Sequence, residues 1–403
     1  MMRDIARTLR RSAGVALAGT LAVAALVVPA APASADATIT ANEQTFYGYY
    51  RLDAIHSAGY TGDGVTIALV DGPINTQIPE LAGARIQSYS PCAVSSQDKS
   101  WDHGTVIAQV ISSPQFGVAP GANLRAYTLS FAGETTGSDC ALGQWGRGYS
   151  DLALLIEDAL NDGVDVITTS SSYPNDYEGM RWALARAIAS KVPVVACVGN
   201  DSTSNSTDWL PAWGGVVGVG AIETNGRASD YENWGRPLST AALARPLARS
   251  GVSQQRGEWW GTSFAAPVVA GSLALSMQRW PNATGNQIMQ GLARTGVGGN
   301  GGEWNQYTGY GALDIYAMLT TNPTSFPDEN PFMDKGTNTV PSRQDVQDYI
   351  DGVVDPRVVM NDNSYEYLGY DERLALSRDH DYPTHLGTSP RFHASNASNA
   401  KKK

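Results

Sequence analysis

Short apolar strands alternate with helices along most of the first 300 residues, and this alternation constrains the fold more than any other feature. The run 65–70 is β-branched and apolar almost throughout, as expected of a strand buried on both faces. Further strands are predicted at 124–129, 164–167, 193–198 and 216–221, and helices at 49–58, 106–111, 152–160 and 178–190. Repeated strand–helix–strand units of this length predict the α/β class, with a mainly parallel, doubly wound sheet and helices on both faces.

Four polar side chains stand where the predicted elements begin or end. Asp71 and Asn200 follow strands, whereas His103 and Ser263 open helices. Ligand sites of parallel sheets gather at the carboxyl ends of the strands, so we expect all four at one rim. Ser263 stands among small residues, where the unpartnered N–H groups of a helix start can stabilise negative charge. A Gly-Thr-Ser sequence on its own is more typical of a cap on a core helix.

Asp71, His103 and Ser263 have the chemistry that acyl transfer needs. A serine hydroxyl becomes a good nucleophile when a neighbouring base takes its proton, and imidazole suits that task near neutral pH. Of the five histidines, only His103 opens a core helix among small residues. The base also needs a carboxylate to fix its tautomer, and Asp71 at the end of an apolar strand is the natural partner. Taken alone, Asp71 would be interpreted as an ordinary turn residue.

The N-terminus has the pattern of a secretory signal peptide over residues 1–35. Four arginines flank the start of an apolar core at 15–28, and Ala33-Ser34-Ala35 offers a cleavage site. A transmembrane anchor is the weaker interpretation, because the core is short and prolines lie directly after it. We therefore predict a secreted, extracellular protein with no stable membrane insertion once the signal is removed.

The charge balance excludes some partners. Removing residues 1–35 takes away four arginines and one aspartate, so the formal net charge goes from −11 to −14. A surface this acidic argues against nucleic acid or anionic membrane as a partner. We expect a monomer that acts on protein or peptide substrates.

The three cysteines are too few for a disulfide-dense scaffold, and their spacing is not that of a metal site. Cys92 and Cys140 both lie in loop-like sequence, and we predict that they pair in an exported protein. Cys197 lies inside an apolar strand and is predicted to be a buried thiol.

Three sequence blocks resemble those of the subtilisin-like serine peptidases, or subtilases. Ala68–Gly72 is similar to the aspartate block of that family, His103–Ala108 to its histidine block, and Gly261–Pro267 to its serine block. The order of aspartate, histidine and serine is also that of the family, and the resemblance covers about residues 46–320. It implies a subtilisin-like fold and a serine endopeptidase whose catalytic triad is Asp71, His103 and Ser263.

The same resemblance implies further roles. The segment Val194–Asp201 is similar to the oxyanion-hole segment of subtilases, which implies Asn200 as an amide donor. A substrate peptide would lie beside Ser170, Ser171 and Ser172 as an added strand. The resemblance implies no required cofactor. Structural calcium is frequent in relatives, but no calcium loop can be identified in this sequence and no metal ligands are assigned.

The chain departs from the family pattern at three places. Gly72-Pro73 follows the aspartate where subtilases usually have Ser or Thr and then Gly, and Ser170–Tyr173 lacks the glycines of the usual Ser-Leu-Gly-Gly. Only a short extension, 36–45, separates the predicted signal from the peptidase domain, so the usual folding propeptide is not found. In this respect the chain resembles mycosin-type subtilases, without their C-terminal membrane anchor.

Residues 321–403 are predicted to form an acidic and poorly structured C-terminal extension. They are rich in Asp, Asn, Pro and Tyr, and only 346–354 suggests a short helix. The predicted organisation is therefore a signal at 1–35, an extension at 36–45, a peptidase domain at 46–320 and a flexible tail.

Two other functions compete with that of a peptidase. A catalytically weak or inactive subtilase-fold module that binds peptides would account for the missing propeptide and for the altered Ser171-Ser172-Tyr173. An esterase of the α/β-hydrolase type is disfavoured, because that fold expects Gly-x-Ser-x-Gly and places its histidine last.

Overall fold

The computed structural model describes residues 37–142, 147–148, 151–171, 177–204, 209–243, 245–298, 303–336 and 339–351. The predicted signal peptide, Ser172 and the predicted tail beyond residue 351 lie outside the described residues.

A parallel sheet of seven strands forms the centre of the described part of the chain. Its strands are β1 (Thr66–Asp71), β2 (Ile86–Tyr89), β3 (Asn123–Thr128), β4 (Val166–Thr169), β5 (Val194–Cys197), β6 (Val217–Ile222) and β7 (Thr240–Leu243). Their order across the sheet is β7-β6-β5-β4-β1-β3-β2, and every neighbouring pair is parallel. Three short antiparallel pairs lie outside it, namely Leu247–Arg249 with Arg256–Glu258, Val94–Ser95 with Thr135–Thr136, and Ala141–Leu142 with Arg147–Gly148.

Helices cover both faces of the sheet, as the sequence predicts. The helices of the described residues are α1 (Thr45–Tyr49), α2 (Leu52–Ser57), α3 (Asp98–Ser112), α4 (Leu152–Asn161), α5 (Tyr177–Ala189), α6 (Thr262–Arg279), α7 (Gly285–Thr295), α8 (Ile315–Thr320) and α9 (Arg343–Asp351). Alternate residues of β1 enter different cores: Ile67 and Leu69 pack in the layer that contains α3 and α6, and Ala68 and Val70 in the layer that contains α4 and α5. The predicted α/β class is confirmed.

Helix α3 begins earlier than the sequence suggests. The sequence predicts His103 at the start of a helix, but α3 begins at Asp98, so His103 is its sixth residue. The Glu134 carboxylate explains the extra turn, because it accepts hydrogen bonds from the Gln97 N–H at 2.8 Å and from the Ser100 hydroxyl at 2.6 Å. A carboxylate at a helix N-terminus accepts hydrogen bonds from N–H groups that have no partner within the helix. Its negative charge also interacts favourably with the positive end of the helix dipole.

The cysteines lie where the sequence predicts. Cys92 and Cys140 form a disulfide, and Cys197 is buried in β5.

The chain after residue 320 is more ordered than predicted. In the described ranges 321–336 and 339–351 it packs on the domain: Phe332 and Tyr349 are buried, and Asp345 forms an ion pair with Arg181 of α5. The prediction of a flexible tail from 321 is therefore wrong for 321–351, because a few well-placed apolar and charged side chains secure this segment without any apolar periodicity.

In the described ranges, no helix combines the length and the apolar character that crossing a membrane requires.

Candidate active site

Asp71 and His103 meet at the carboxyl end of β1. His103 Nδ1 donates a 2.7 Å hydrogen bond to Asp71 Oδ1, whose side chain is fully buried, while a quarter of the His103 side chain is exposed. Burial alone would lower the pKa of His103, but the negative charge of Asp71 and this hydrogen bond outweigh it, so the pKa of His103 is raised above its usual value. The pair therefore has the geometry of a base oriented by a carboxylate.

The departure from the family pattern at Gly72 has a structural consequence. Asp71 Oδ1 also accepts the Gly72 N–H at 2.7 Å, whereas the buried Oδ2 has no hydrogen-bond partner among the described residues. No hydroxyl is available at position 72 to serve Oδ2. A side chain there is sterically excluded, because a Cβ on Gly72 would lie 2.0 Å from the Ser100 carbonyl oxygen in α3.

We predict that Gly72→Ser, which introduces the hydroxyl usual at this position in the family that the sequence resembles, destabilises this protein by about 1–3 kcal/mol. The new Cβ would meet rigid helix backbone, which can move only by displacing the turn that carries His103. Urea denaturation followed by tryptophan fluorescence measures the change. Gly257→Ser is the matched control, because a Cβ on Gly257 meets nothing within 4 Å, so its effect should stay within about 0.5 kcal/mol. Equal stability of Gly72→Ser and the wild type would contradict this prediction.

Ser263 is the second residue of α6 and is half-buried. Its Oγ lies 3.5 Å from the carbonyl oxygen of Ser170 and 3.9 Å from the thiol of Cys197. The ring of the next residue, Phe264, lies 5.7 Å from the His103 ring, so His103 borders the start of α6. Within the described residues, no hydrogen bond joins His103 to Ser263.

Pro267 changes how the backbone of Ser263 is held. In a regular helix the N–H of residue 267 would bond to the carbonyl of Ser263, but proline has no N–H. The Ser170 hydroxyl takes that place and donates to the Ser263 carbonyl at 2.6 Å. The sequence predicts Ser170 as a substrate-binding residue. In the structure its side chain holds the first turn of α6, which contains Ser263.

Asn200 lies beside the same turn and is exposed. Its Oδ1 accepts hydrogen bonds from the backbone N–H of Thr262 at 2.8 Å and from the Thr262 hydroxyl at 3.1 Å. The amide Nδ2 lies beside Gly261, where an added Cβ would come within 3.1 Å of it. Thr262 therefore fixes which end of the Asn200 amide is available as a donor.

The structure brings together Asp71, His103, Asn200 and Ser263, with Ser170 and Ser171 buried at the adjoining end of β4. Ser172 lies outside the described residues. The sequence interpretation missed Thr262 and Cys197 as neighbours of the site. The position of Thr262 directly before Ser263 could have indicated its place in the site. In the described part of the chain, no group of three or more His, Cys, Asp and Glu side chains is arranged to hold a metal ion.

Comparisons with known proteins identify the family of the chain. The sequence profile of the subtilase family matches residues 62–311. Subtilisin E from Bacillus subtilis (strain 168) is 30% identical over 276 residues, which cover 66% of this chain and 68% of subtilisin E.

Two solved structures have a similar fold. Fervidolysin from Fervidobacterium pennivorans, a keratinolytic enzyme related to subtilisin, has a TM-score of 0.54 and 24% identity over 68% of this chain, which spans only 46% of fervidolysin. MycP1, a serine protease of the type VII (ESX-1) secretion system, has a TM-score of 0.57 and 26% identity over 70% of this chain and 90% of its own. The chain belongs to the subtilase family of subtilisin-like serine endopeptidases.

Proposed function

We propose that this chain is a secreted endopeptidase in which Ser263 attacks the peptide bond, His103 is the general base and Asp71 orients the base. The observation that carries the proposal is the 2.7 Å hydrogen bond from His103 Nδ1 to the buried Asp71 carboxylate. With its proton held on Nδ1, the ring has Nε2 available to accept the serine proton. Membership of the subtilase family supports the same reaction class.

The proposed reaction has two halves. His103 Nε2 takes the proton of Ser263 as Oγ bonds to the peptide carbonyl carbon, and the same proton then passes to the leaving amine as the C–N bond breaks. Water, deprotonated by His103, releases the acyl group from Ser263 by the reverse sequence. Since Oγ lies 3.5 Å from Ser170 O in this structure, it must turn towards His103, and such contacts commonly tighten only when substrate binds.

Two donors are proposed to stabilise the oxyanion that forms during attack. One is Asn200 Nδ2, which the hydrogen bonds from Thr262 to Oδ1 leave available. The other is the backbone N–H of Ser263, one of the first N–H groups of α6, which have no acceptor within the helix. Donors set in advance around the developing charge are usually the largest single contribution to such catalysis.

The substrate is proposed to be an extended peptide that pairs with the backbone at Ser170 and Ser171, beyond the end of β4. The Ser170 hydroxyl is already bonded to the Ser263 carbonyl, so this residue would offer its backbone and not its hydroxyl. The predicted signal peptide supports export. The proposed enzyme is an extracellular monomer, and the proposed reaction calls on no cofactor.

One observation favours the catalytically weak peptide-binding module as a second candidate. Among the described residues, the Ser263 hydroxyl contacts Ser170 O and Cys197 Sγ and makes no hydrogen bond to His103. A protein that keeps this arrangement when peptide is present would bind it without activating the serine.

Labelling with a fluorophosphonate probe decides between the two candidates, because only an activated serine displaces the fluoride. We expect the native protein to be labelled once, with the adduct mapped to Ser263 by tandem mass spectrometry. Heat-unfolded protein is the control and should remain unlabelled. A native protein that binds peptides but takes up no probe would support the binding module and contradict the peptidase.

A further inference from the structure

The loop that carries Asn200 is held from behind by one buried side chain, Asn233. Asn233 Nδ2 donates to the Val198 carbonyl at 2.9 Å. Its Oδ1 accepts three hydrogen bonds, from the Asp201 N–H at 3.0 Å, the Thr203 N–H at 3.1 Å and the Thr203 hydroxyl at 3.1 Å. The backbone of Asn233 adds a bond from its N–H to the Gly199 carbonyl at 3.0 Å. Asn233 therefore forms hydrogen bonds with the loop both before and after Asn200.

The loop needs such support because its backbone is not in a relaxed conformation. Gly199 has a φ of 97° and Ser202 a φ of 51°, both in the left-handed region. Serine adopts this region at a cost, which surrounding contacts must offset. The Ser202 N–H donates to the Tyr231 carbonyl at 3.1 Å, so the support again comes from the turn that carries Asn233.

That turn is itself secured to the sheet. The neighbouring Glu232 is buried, and its Oε2 accepts the Ala221 N–H of β6 at 2.6 Å. On the other side, the Trp234 N–H donates to the Thr203 carbonyl at 3.0 Å. β6 thus fixes the position of Asn233, and the hydrogen bonds of Asn233 in turn fix the position of the loop.

We propose that Asn233 is a positioning residue that sets where Asn200 Nδ2 points, by fixing the backbone from Val198 to Thr203. Thr262 orients the Asn200 side chain, and Asn233 holds the backbone from which that side chain extends. Asn233 is 3% exposed, and within the described ranges its side-chain hydrogen bonds go to the loop and not to Ser263 or His103. The inference rests on the proposed role of Asn200 in the oxyanion hole.

The test is Asn233→Asp, measured as kcat and KM on a chromogenic peptide. The variant keeps an acceptor oxygen for Asp201 and Thr203, but it puts a carboxylate oxygen where Nδ2 now donates to the Val198 carbonyl. The loop must shift to relieve that repulsion. We expect kcat to fall about 10–100-fold, since displacements of about 1 Å can cost that much, with KM within about twofold. Equal kcat for variant and wild type would overturn the inference.

Asn330→Asp is the matched control. Asn330 is also buried, and its amide also bridges a loop, through a bond to the Gly215 carbonyl at 2.9 Å and one from the Phe332 N–H at 2.9 Å. Its partner Gly215 lies just before β6, so Asn330 lies at the N-terminal end of the parallel strands, whereas Ser263 lies at the opposite end, beside Ser170 just after β4. The Asn330→Asp change should lower Tm as much as Asn233→Asp does while leaving kcat within about twofold. An equal loss of kcat in both variants would mean that Asn233 acts only through general stability, and would overturn the inference.

A double-mutant cycle separates this inference from the proposed function. Asn200→Ala should lower kcat about 10²–10³-fold. If Asn233 acts through Asn200, adding Asn233→Asp should change kcat by no more than about threefold further. Losses that multiply would overturn the role of Asn233 alone. Full activity of Asn200→Ala would instead contradict the proposed oxyanion donor.

Thr203→Val provides a milder version if Asn233→Asp does not fold. Thr203 is exposed, and this change removes only the hydroxyl bond to Asn233 Oδ1. One hydrogen bond of ordinary strength corresponds to a fall in kcat of about fivefold. That fall should disappear in the Asn200→Ala background, and a fall that persists there would overturn the inference.

Discussion

Asp71→Asn is expected to fold like the wild type and to lose about 10⁴-fold in kcat. In the proposed reaction the carboxylate stabilises the imidazolium that forms as Ser263 loses its proton, and an amide cannot supply that charge. An amide nitrogen facing His103 would also move the ring proton from Nδ1 to Nε2, the nitrogen that must accept the serine proton. Stopped assays on a chromogenic peptide measure the loss, and circular dichroism verifies the fold.

The pH dependence of the same variant gives a second readout. Burial lowers the pKa of His103, and Asp71 raises it above its usual value through charge and hydrogen bonding. Without the carboxylate, only the effect of burial remains, so the pKa of His103 should fall. Since His103 must be neutral to act as the proposed base, the acid limb of kcat/KM should move to lower pH in Asp71→Asn. A residual activity whose acid limb does not move would contradict the assignment of His103 as the base.

Asp102→Asn is the control for Asp71→Asn. Asp102 precedes His103 in the chain, and its Oδ1 accepts hydrogen bonds from the Ser250 hydroxyl at 2.6 Å and the Val252 N–H at 2.9 Å. An asparagine oxygen can accept both bonds, so this change removes a nearby charge without breaking the local structure. We expect it to lower kcat less than about tenfold. Equal losses in the two variants would mean that the charge near His103 matters, and not the bond to Nδ1.

The sequence was sufficient to predict the parallel sheet and the grouping of polar side chains at the carboxyl ends of its strands, because both follow from local patterns. The apolar run of β1 ends on Asp71, and parallel strands bring their carboxyl ends to one edge wherever they lie in the chain. No local sequence pattern of this kind indicated the role of Asn233. Its role comes from contacts with a loop that lies 30 residues earlier in the chain, and no spacing within 229–234 signals it.

The segment 321–351 was predicted wrongly for a related reason. Its order depends on single side chains that find specific partners, such as Lys335, whose ammonium donates to the Pro237 carbonyl at 2.9 Å and the Ser239 hydroxyl at 2.8 Å. Periodicity detects repeated faces, and it cannot detect isolated contacts of this kind. The beginning of α3 was misjudged in the same way, since Glu134 lies 36 residues after Asp98 in the chain.

Ser263→Ala is expected to lower kcat on the order of 10⁶-fold, with KM and Tm close to those of the wild type. Among the residues that the structure describes, Ser263 Oγ makes only long contacts, to Ser170 O at 3.5 Å and to Cys197 Sγ at 3.9 Å, so removing it breaks no short hydrogen bond there. The Ser170 hydroxyl still donates to the carbonyl of residue 263, which the substitution does not change. The fold should therefore survive the loss of the Ser263 hydroxyl.

The double variant Ser263→Ala/His103→Ala then tests whether the two side chains work as a unit. If His103 acts only by taking the serine proton, removing it after Ser263 has gone should cost nothing further, and kcat should stay within about threefold of that of Ser263→Ala. A further large loss would mean that His103 activates something other than Ser263, such as water attacking the peptide directly. Substantial activity of Ser263→Ala itself would exclude an acyl-enzyme on this serine, because the hydroxyl that carries the acyl group in the proposed reaction would then be missing.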